Sequence, residues 1–279
     1  SDVVDRTGVL LATNLAIASL YAKPQIVLDA GKVAAKLSRV LPELDRAAVR
    51  TKLESDRGFV WLRRHLSPRQ QYAVNRLGIP GLKFRRESRR IYPTGTLAAH
   101  VLGHTDIDNR GLAGIERGMD KTLRRNATPL ALAIDSRVQH VMEQELSRAV
   151  RSFRALGAVG IVQDVNSGEI LALVSLPTFD PNDPTDVDPE ARFNRAALGV
   201  YEMGSTLKIF TIAMALDSGR ASLTSRFDAT KPIRVSRYAI RDFHGKKRWL
   251  TVPEIFIYSS NIGAARMATD VGTERQRAF

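Results

Sequence analysis

The chain has no cysteine. Disulfides and thiolate metal sites are therefore excluded, while an oxidising compartment is permitted without being proved. It also has no apolar run of the roughly 18 residues that cross a bilayer. The best stretch, Val9 to Ala22, is interrupted by Thr13, Asn14 and Ser19. No signal-peptide pattern opens the sequence. Aromatic residues make up only 6%, and no nucleic-acid fold signature accompanies them, which argues against nucleic acid as the partner of a basic chain. There is no Gly-x-Ser-x-Gly elbow for a Ser-His-Asp hydrolase and no Gly-rich loop for nucleotide phosphates.

What is present fits a globular protein. The 279 residues are 44% hydrophobic, enough for one large or two modest domains with real cores. The net charge of +13 is uneven: residues 1–130 hold 23 Lys/Arg against 12 Asp/Glu, and residues 131–279 hold 19 against 17. The densest cluster runs from Lys83 to Arg90 and includes Arg85, Arg86 and Arg89. Anionic lipid headgroups or an acidic partner fit such a patch, and so does a plainly solvated basic face.

Residues 1–125 read as irregular, with short apolar stretches between charged helices at Gly31 to Val40 and Leu44 to Leu53. Ser67-Pro68 starts another helix, and Gly78-Ile-Pro80-Gly81 follows it as a stop. Thr122 to Pro129 is a polar boundary, so a second domain is placed at 126–279. There, Asp135 or Ser136 caps a long amphipathic helix whose apolar face carries Val138, Val141, Met142, Leu146, Ala149, Val150 and Phe153. Gly157 to Val165 and Glu169 to Leu176 read as a hairpin around Asn166-Ser167-Gly168. Pro177 to Pro189 is a surface loop, and Ile233 to Val235 and Tyr238 to Phe243 are short extended runs. The fold class expected is α+β, an antiparallel sheet with helices on its faces.

The chemistry concentrates at Gly204-Ser205-Thr206-Leu207-Lys208, which opens an apolar helical run that ends near Gly219. Ser205 and Lys208 share one helix face. A serine hydroxyl needs a base within reach, and a neutral amine can serve. Backbone N–H groups at the helix start favour an oxyanion. Downstream, Thr251-Val-Pro-Glu254 reads as a capping box, and Tyr258-Ser259-Ser260-Asn261 lies between that helix and a second one from Ile262 to Val271. A Ser-x-Asn turn following Ser-x-x-Lys is the second part of the penicillin-binding signature. His100 and His104 have zinc-ligand spacing, but Val101 stands where a metalloprotease carries glutamate and Gly103 weakens the helix. They read more simply as capping or packing histidines.

These motifs resemble the class B penicillin-binding proteins, and most of all their division-specific septal transpeptidases in Gram-negative bacteria. The resemblance extends to Asp5-Arg6-Thr-Gly8, to Arg90-Ile-Tyr92-Pro93 through His100-Val-Leu102-Gly103, to Gly111-Leu-Ala-Gly114-Ile-Glu116, and to Phe193-Asn194-Arg195-Ala196, all in family order. Two departures stand out. Met203 replaces the usual proline before Gly204, and the third motif, Lys-Thr/Ser-Gly, is absent because Lys121-Thr122 is followed by Leu123.

The resemblance implies a pedestal over 1–125 and the N-terminal part of a transpeptidase domain over 126–279, with the C-terminal part missing. It implies a single-pass inner-membrane anchor upstream and a periplasmic catalytic domain. The substrate implied is the D-Ala-D-Ala end of peptidoglycan stem peptides, with β-lactams as inhibitors. The partners implied are the septal glycosyltransferase and other divisome membrane proteins, with no metal or organic cofactor. Ser205 would be the nucleophile and Lys208 the general base, kept neutral by burial and nearby positive charge. Ser259 would relay the proton, and Asn261 would orient Lys208 and the substrate amide. An elongation-specific transpeptidase, a penicillin-recognising hydrolase or sensor, and a non-catalytic divisome scaffold are the alternative readings. A hydrolase needs a deacylating base, a role for which Glu202 has no established claim. The missing strands would leave the hairpin at Gly157 to Leu176 with an unpaired edge.

Overall fold

The computed structural model describes residues 1–185 and 187–279. The loop read at Pro177 to Pro189 thus includes one residue, Asp186, that lies outside the described residues. The chain forms two compact units, Ser1–Gly199 and Val200–Phe279.

The first unit is built on one long strand. Strand β1 is Val3–Val4 and β2 is Leu10–Ala22. The polar residues that prevent Val9 to Ala22 from spanning a bilayer do not disturb a strand, since alternate positions face opposite sides. Ser19 is fully buried and accepts the His65 N–H at 3.0 Å. Strand β3 (Val60–Leu66) lies on one side of β2, and β4 (Leu82–Ile91) on the other. The β2–β4 pairing is antiparallel and unbroken from Thr13 opposite Ile91 to Ala22 opposite Leu82. Strand β5 (Leu130–Ala131) adds parallel to β1.

Helices α1 (Ala30–Val40), α2 (Arg46–Leu53) and α3 (Pro68–Asn75) pack on one face of this sheet, and their caps are local. Asp29 and Asp45 each accept a backbone N–H of the first turn, and Ser67 with Gln70 forms a capping box. Leu20, Ala22, Leu37, Leu41, Leu62 and Leu66 form the core between sheet and helices. Each leucine there contributes about 1.5–3 kcal/mol by leaving water. The region read as irregular is therefore organised by a sheet. Its strands escaped notice because β4 carries Lys83, Arg85, Arg86, Arg89 and Arg90, which mask the alternation.

Short helices α4 (Ala99–Leu102), α5 (Gly114–Gly118) and α6 (Asp120–Arg125) follow. Their backbones cross closely at glycines. A Cβ on Gly103 would lie 2.0 Å from the Ala113 oxygen, and one on Gly111 would lie 2.0 Å from the Glu116 oxygen. Beside this crossing, Arg90 Nε donates to Glu116 Oε1 at 2.7 Å, with only 4% and 5% of the two side chains exposed.

Helix α7 (Ser136–Phe153), capped by Asp135, runs beside the hairpin of β6 (Ala158–Gln163) and β7 (Ile170–Leu176). Its Gln139 clamps the backbone of Leu173 through both amide atoms, at 2.8 and 2.9 Å. Val141 and Phe153 of the expected apolar face remain exposed. Short helices α8 (Pro189–Arg192) and α9 (Arg195–Leu198) end the unit.

The second unit contains α10 (Lys208–Asp217), β8 (Arg226–Asp228), β9 (Ile233–Val235), β10 (Tyr238–Ile240), β11 (Trp249–Thr251), α11 (Val252–Ile257), α12 (Asn261–Val271) and α13 (Thr273–Ala278). Strand β8 pairs with β11 and β9 with β10, both antiparallel. Met214, Ala215, Phe227, Leu250, Ile255, Ile262 and Met267 pack as its core. No helix among the described residues is long and apolar enough to cross a membrane.

Candidate active site

Ser205 lies in a 3-10 turn, Gly204–Leu207, that runs directly into α10. Gly204 starts the turn at φ +53°, a value glycine adopts without the steric cost of a Cβ. Met203 stands before it at φ −72°, within the range that a proline ring enforces. The replacement of proline by Met203 is therefore compatible with the same backbone. One turn on, Lys208 reaches back so that Nζ lies 3.0 Å from Ser205 Oγ.

The second half of the site is the turn between α11 and α12. The Thr251/Glu254 capping box starts α11 as its spacing predicts. The chain then turns through Ser259 at φ +52°. Glycine is the usual occupant of such a position after a helix, and a non-glycine residue there costs roughly 1 kcal/mol. Contacts with Lys208 offset that strain: Nζ donates to the Ser259 carbonyl oxygen at 2.8 Å and lies 2.9 Å from Ser259 Oγ.

Two residues not singled out in the sequence hold this turn. Ser260 caps α12, accepting the Gly263 N–H at 2.9 Å and donating its hydroxyl to Asp242 Oδ2 at 2.8 Å. Asp242 Oδ1 also accepts the Ile262 N–H at 2.9 Å. Asp242 follows an extended run at a distance of 18 residues from Ser260, and no local pattern signals that meeting.

The structure thus brings Ser205, Lys208 and Ser259 into one hydrogen-bonded group. Asn261 lies at the start of α12 but turns its Nδ2 to the Arg241 carbonyl at 2.8 Å. Glu202 is exposed. His100 and His104 belong to the first unit. His100 Nε2 lies 2.8 Å from the Ala191 carbonyl, and both rings meet the edge or face of Phe179. Burial holds both imidazoles below the ordinary histidine range. No group of three or more potential ligands suited to a metal occurs among the described residues.

Burial also pulls the Lys208 ammonium below the ordinary lysine range, while the Asp242 carboxylate works in the opposite direction. Burial alone is the cause that favours the amine, and the nearby positive charge expected from the sequence is not among the causes. A neutral Lys208 can donate to Ser259 twice and turn its lone pair to the Ser205 hydroxyl. That arrangement can take a proton from Ser205 and pass one through Ser259.

A family model described as the penicillin-binding protein dimerisation domain matches residues 1–136, and one described as the penicillin binding protein transpeptidase domain matches residues 158–279. The chain is 43% identical over 279 residues to a probable peptidoglycan D,D-transpeptidase FtsI of Caulobacter vibrioides, covering 98% of this chain and 47% of the relative. It is 30% identical over 297 residues to the peptidoglycan D,D-transpeptidase FtsI of Escherichia coli K12, covering 95% of this chain and 50% of that protein. The chain spans about half the length of the curated relatives it matches. A peptidoglycan synthetase from Bifidobacterium adolescentis has the same fold, with a TM-score of 0.67 at 24% identity over 99% of this chain and 60% of that one.

Proposed function

The chain belongs to the penicillin-binding proteins that join a dimerisation domain to a transpeptidase domain, and on that premise we propose that it supplies the nucleophile of a peptidoglycan D,D-transpeptidase. The observation that carries this reading is the position of Lys208 Nζ, 3.0 Å from Ser205 Oγ and 2.9 Å from Ser259 Oγ. Lys208, made less basic by burial, takes the Ser205 proton as Oγ attacks the carbonyl carbon of the penultimate residue of a D-Ala-D-Ala stem peptide. The backbone N–H of Ser205 stabilises the oxyanion. Ser259 returns the proton to the leaving amine, and D-alanine departs from the acyl-enzyme. An amine from a neighbouring stem peptide then accepts the acyl group. β-Lactams acylate the same serine.

In this reading residues 1–125 are the pedestal and 126–279 the start of the transpeptidase domain. The setting is the periplasmic face of the inner membrane at the division septum, reached through an anchor and shared with the septal glycosyltransferase and other divisome proteins. Asn261 positions the substrate amide beside Lys208.

Fluorescent penicillin tests the reading on the full-length protein. Ser205→Ala should abolish covalent labelling while leaving the melting temperature nearly unchanged, because Ser205 is exposed. Label found on Ser259, or label retained by the variant, would refute the assignment.

A further inference from the structure

Strand β4 has β2 as its one paired strand among the described residues. Its other edge is treated differently along its length. Toward the C-terminus, side-chain amides close it. Asn109 donates to the Ser88 carbonyl at 2.8 Å and accepts the Arg90 N–H at 2.9 Å. Asn182 does the same for the N–H and carbonyl of Tyr92 just past the strand, at 2.9 and 3.0 Å. These amides occupy the places a further strand would take.

Residues with main-chain groups on that edge alternate, so Phe84 and Arg86 present theirs on the same side as Ser88 and Arg90. Neither Phe84 nor Arg86 has an outward main-chain partner among the described residues. The open half is bordered by Lys83, Arg85 and Arg86, all exposed, on one of the most basic stretches of the chain. Leu82 and Phe84 alternate with Lys83 and Arg85 and pack only partly against the core. Lys83 stands directly across from Tyr21, which pairs in turn with Trp61. The nearest acid in the sequence, Glu87, is held by Arg64 at 2.8 Å.

We propose that the open stretch of β4, from Lys83 to Arg86, is a docking edge for an extended acidic segment of a partner protein, which adds to the sheet as a further strand. Backbone ladders supply affinity in such additions, and alternate side chains supply specificity. Acidic residues on one face of the added strand meet Lys83 and Arg85, and apolar ones on the other meet Leu82 and Phe84. A second copy of this chain is a poor occupant, because edge-to-edge pairing of β4 sets arginine against arginine. A lipid surface is also poor, because headgroups do not complete a ladder of N–H and C=O groups.

The test uses the whole chain and a synthetic octapeptide of alternating glutamate and valine. The peptide should bind, bind more weakly with rising salt, and slow amide exchange at Phe84 and Arg86 specifically. Its N-methylated counterpart keeps the charge but lacks the donors and should not bind. Reversing both Lys83 and Arg85 to glutamate should weaken the acidic peptide roughly tenfold or more and favour a lysine–valine peptide instead. Both side chains are exposed, so the variant should fold, and unchanged exchange in the core strands will verify it. Equal binding of the N-methylated peptide, protection confined to other amides, or no binding at low salt would each overturn the proposal.

Discussion

Two motifs of this chain set a cationic side chain beside oxygen acceptors, and they use it in opposite ways. In the first unit, Arg90 meets Glu116 in nearly complete burial and also donates to the Ser1 carbonyl at 2.7 Å. Glycines at 103, 111 and 114 let the neighbouring backbones cross there. Arg90 Nε and Nη1 are thus both spent within the fold. At the Ser205 turn, Lys208 meets two hydroxyls at the surface, and Ser205 and Ser259 are both exposed. A substrate can reach that group and replace one of its bonds. The comparison separates a motif kept for architecture from one open to chemistry, although both read in sequence as charged landmarks of one family.

Lys208→Arg separates the two motifs most strongly. Arginine keeps the charge and offers no neutral amine. Penicillin acylation of the full-length protein should fall by roughly 10²–10⁴, the usual contribution of a positioned base. The thermal midpoint should hardly move. A variant that unfolds before it loses labelling would place Lys208 with the architectural group and break the distinction.

Glu116→Gln probes the other side. It leaves the Arg90 guanidinium buried against a neutral partner, and breaking such a pair costs about 3–5 kcal/mol. Chemical denaturation should register that loss. The protein that remains folded should still label with penicillin at the normal rate. A loss below about 1 kcal/mol, within the usual range for a surface pair, would mean the pair is not the keystone its burial suggests.

Gly263→Ala gives a smaller effect that couples packing to the site. An added Cβ would lie 2.6 and 2.8 Å from Ile255 Cγ1 and Cδ1, and 3.2 Å from Ser260 Oγ. Alanine is favoured over glycine in a helix by about 1 kcal/mol, while overpacking costs about 1–3. The net effect should be a modest loss of stability by calorimetry, with slower acylation because α11 and α12 frame the Ser259 turn. Increased stability would show that Ile255 yields freely.

Local signals were legible in the sequence where they act within a few residues. The Thr251/Glu254 box, the helix start at Ser67-Pro68, the stop at Gly219 and the turn at Asn166-Ser167-Gly168 all stand where their residues predict. The spacing of Ser205 and Lys208 likewise fixed one face of the site. Long-range meetings were not legible. The pairing of Thr13 with Ile91, that of Arg226 with Thr251, and the hold of Asp242 on Ser260 depend on register between distant segments. Arginines on β4 also hid its alternation, and the burial of Arg90 among them could not be told from the exposure of Arg85.

Asp242 offers the smallest and most specific test, because it touches both the fold and the charge state of Lys208. In the proposed role of base, Lys208 must be neutral. Burial disfavours its ammonium form, so its pKa lies below the ordinary lysine value. Acylation should therefore rise with pH through a midpoint below the unperturbed lysine value of about 10.4 and level off above that midpoint. The Asp242 carboxylate favours the ammonium and raises that pKa. Asp242→Asn removes the charge and retains an acceptor for the Ile262 N–H. The lysine should then lose its proton more readily, and the acid limb of the acylation profile should move to lower pH. Below the midpoint the variant should acylate faster than the parent, once both are scaled to their plateau rates. The plateau itself should drop slightly, because Ser260 loses the Asp242 Oδ2 acceptor and the turn carrying Ser259 loosens. A limb that moves to higher pH, or that persists unshifted in Lys208→Arg, would assign the titration to another group and remove Lys208 from the role of base.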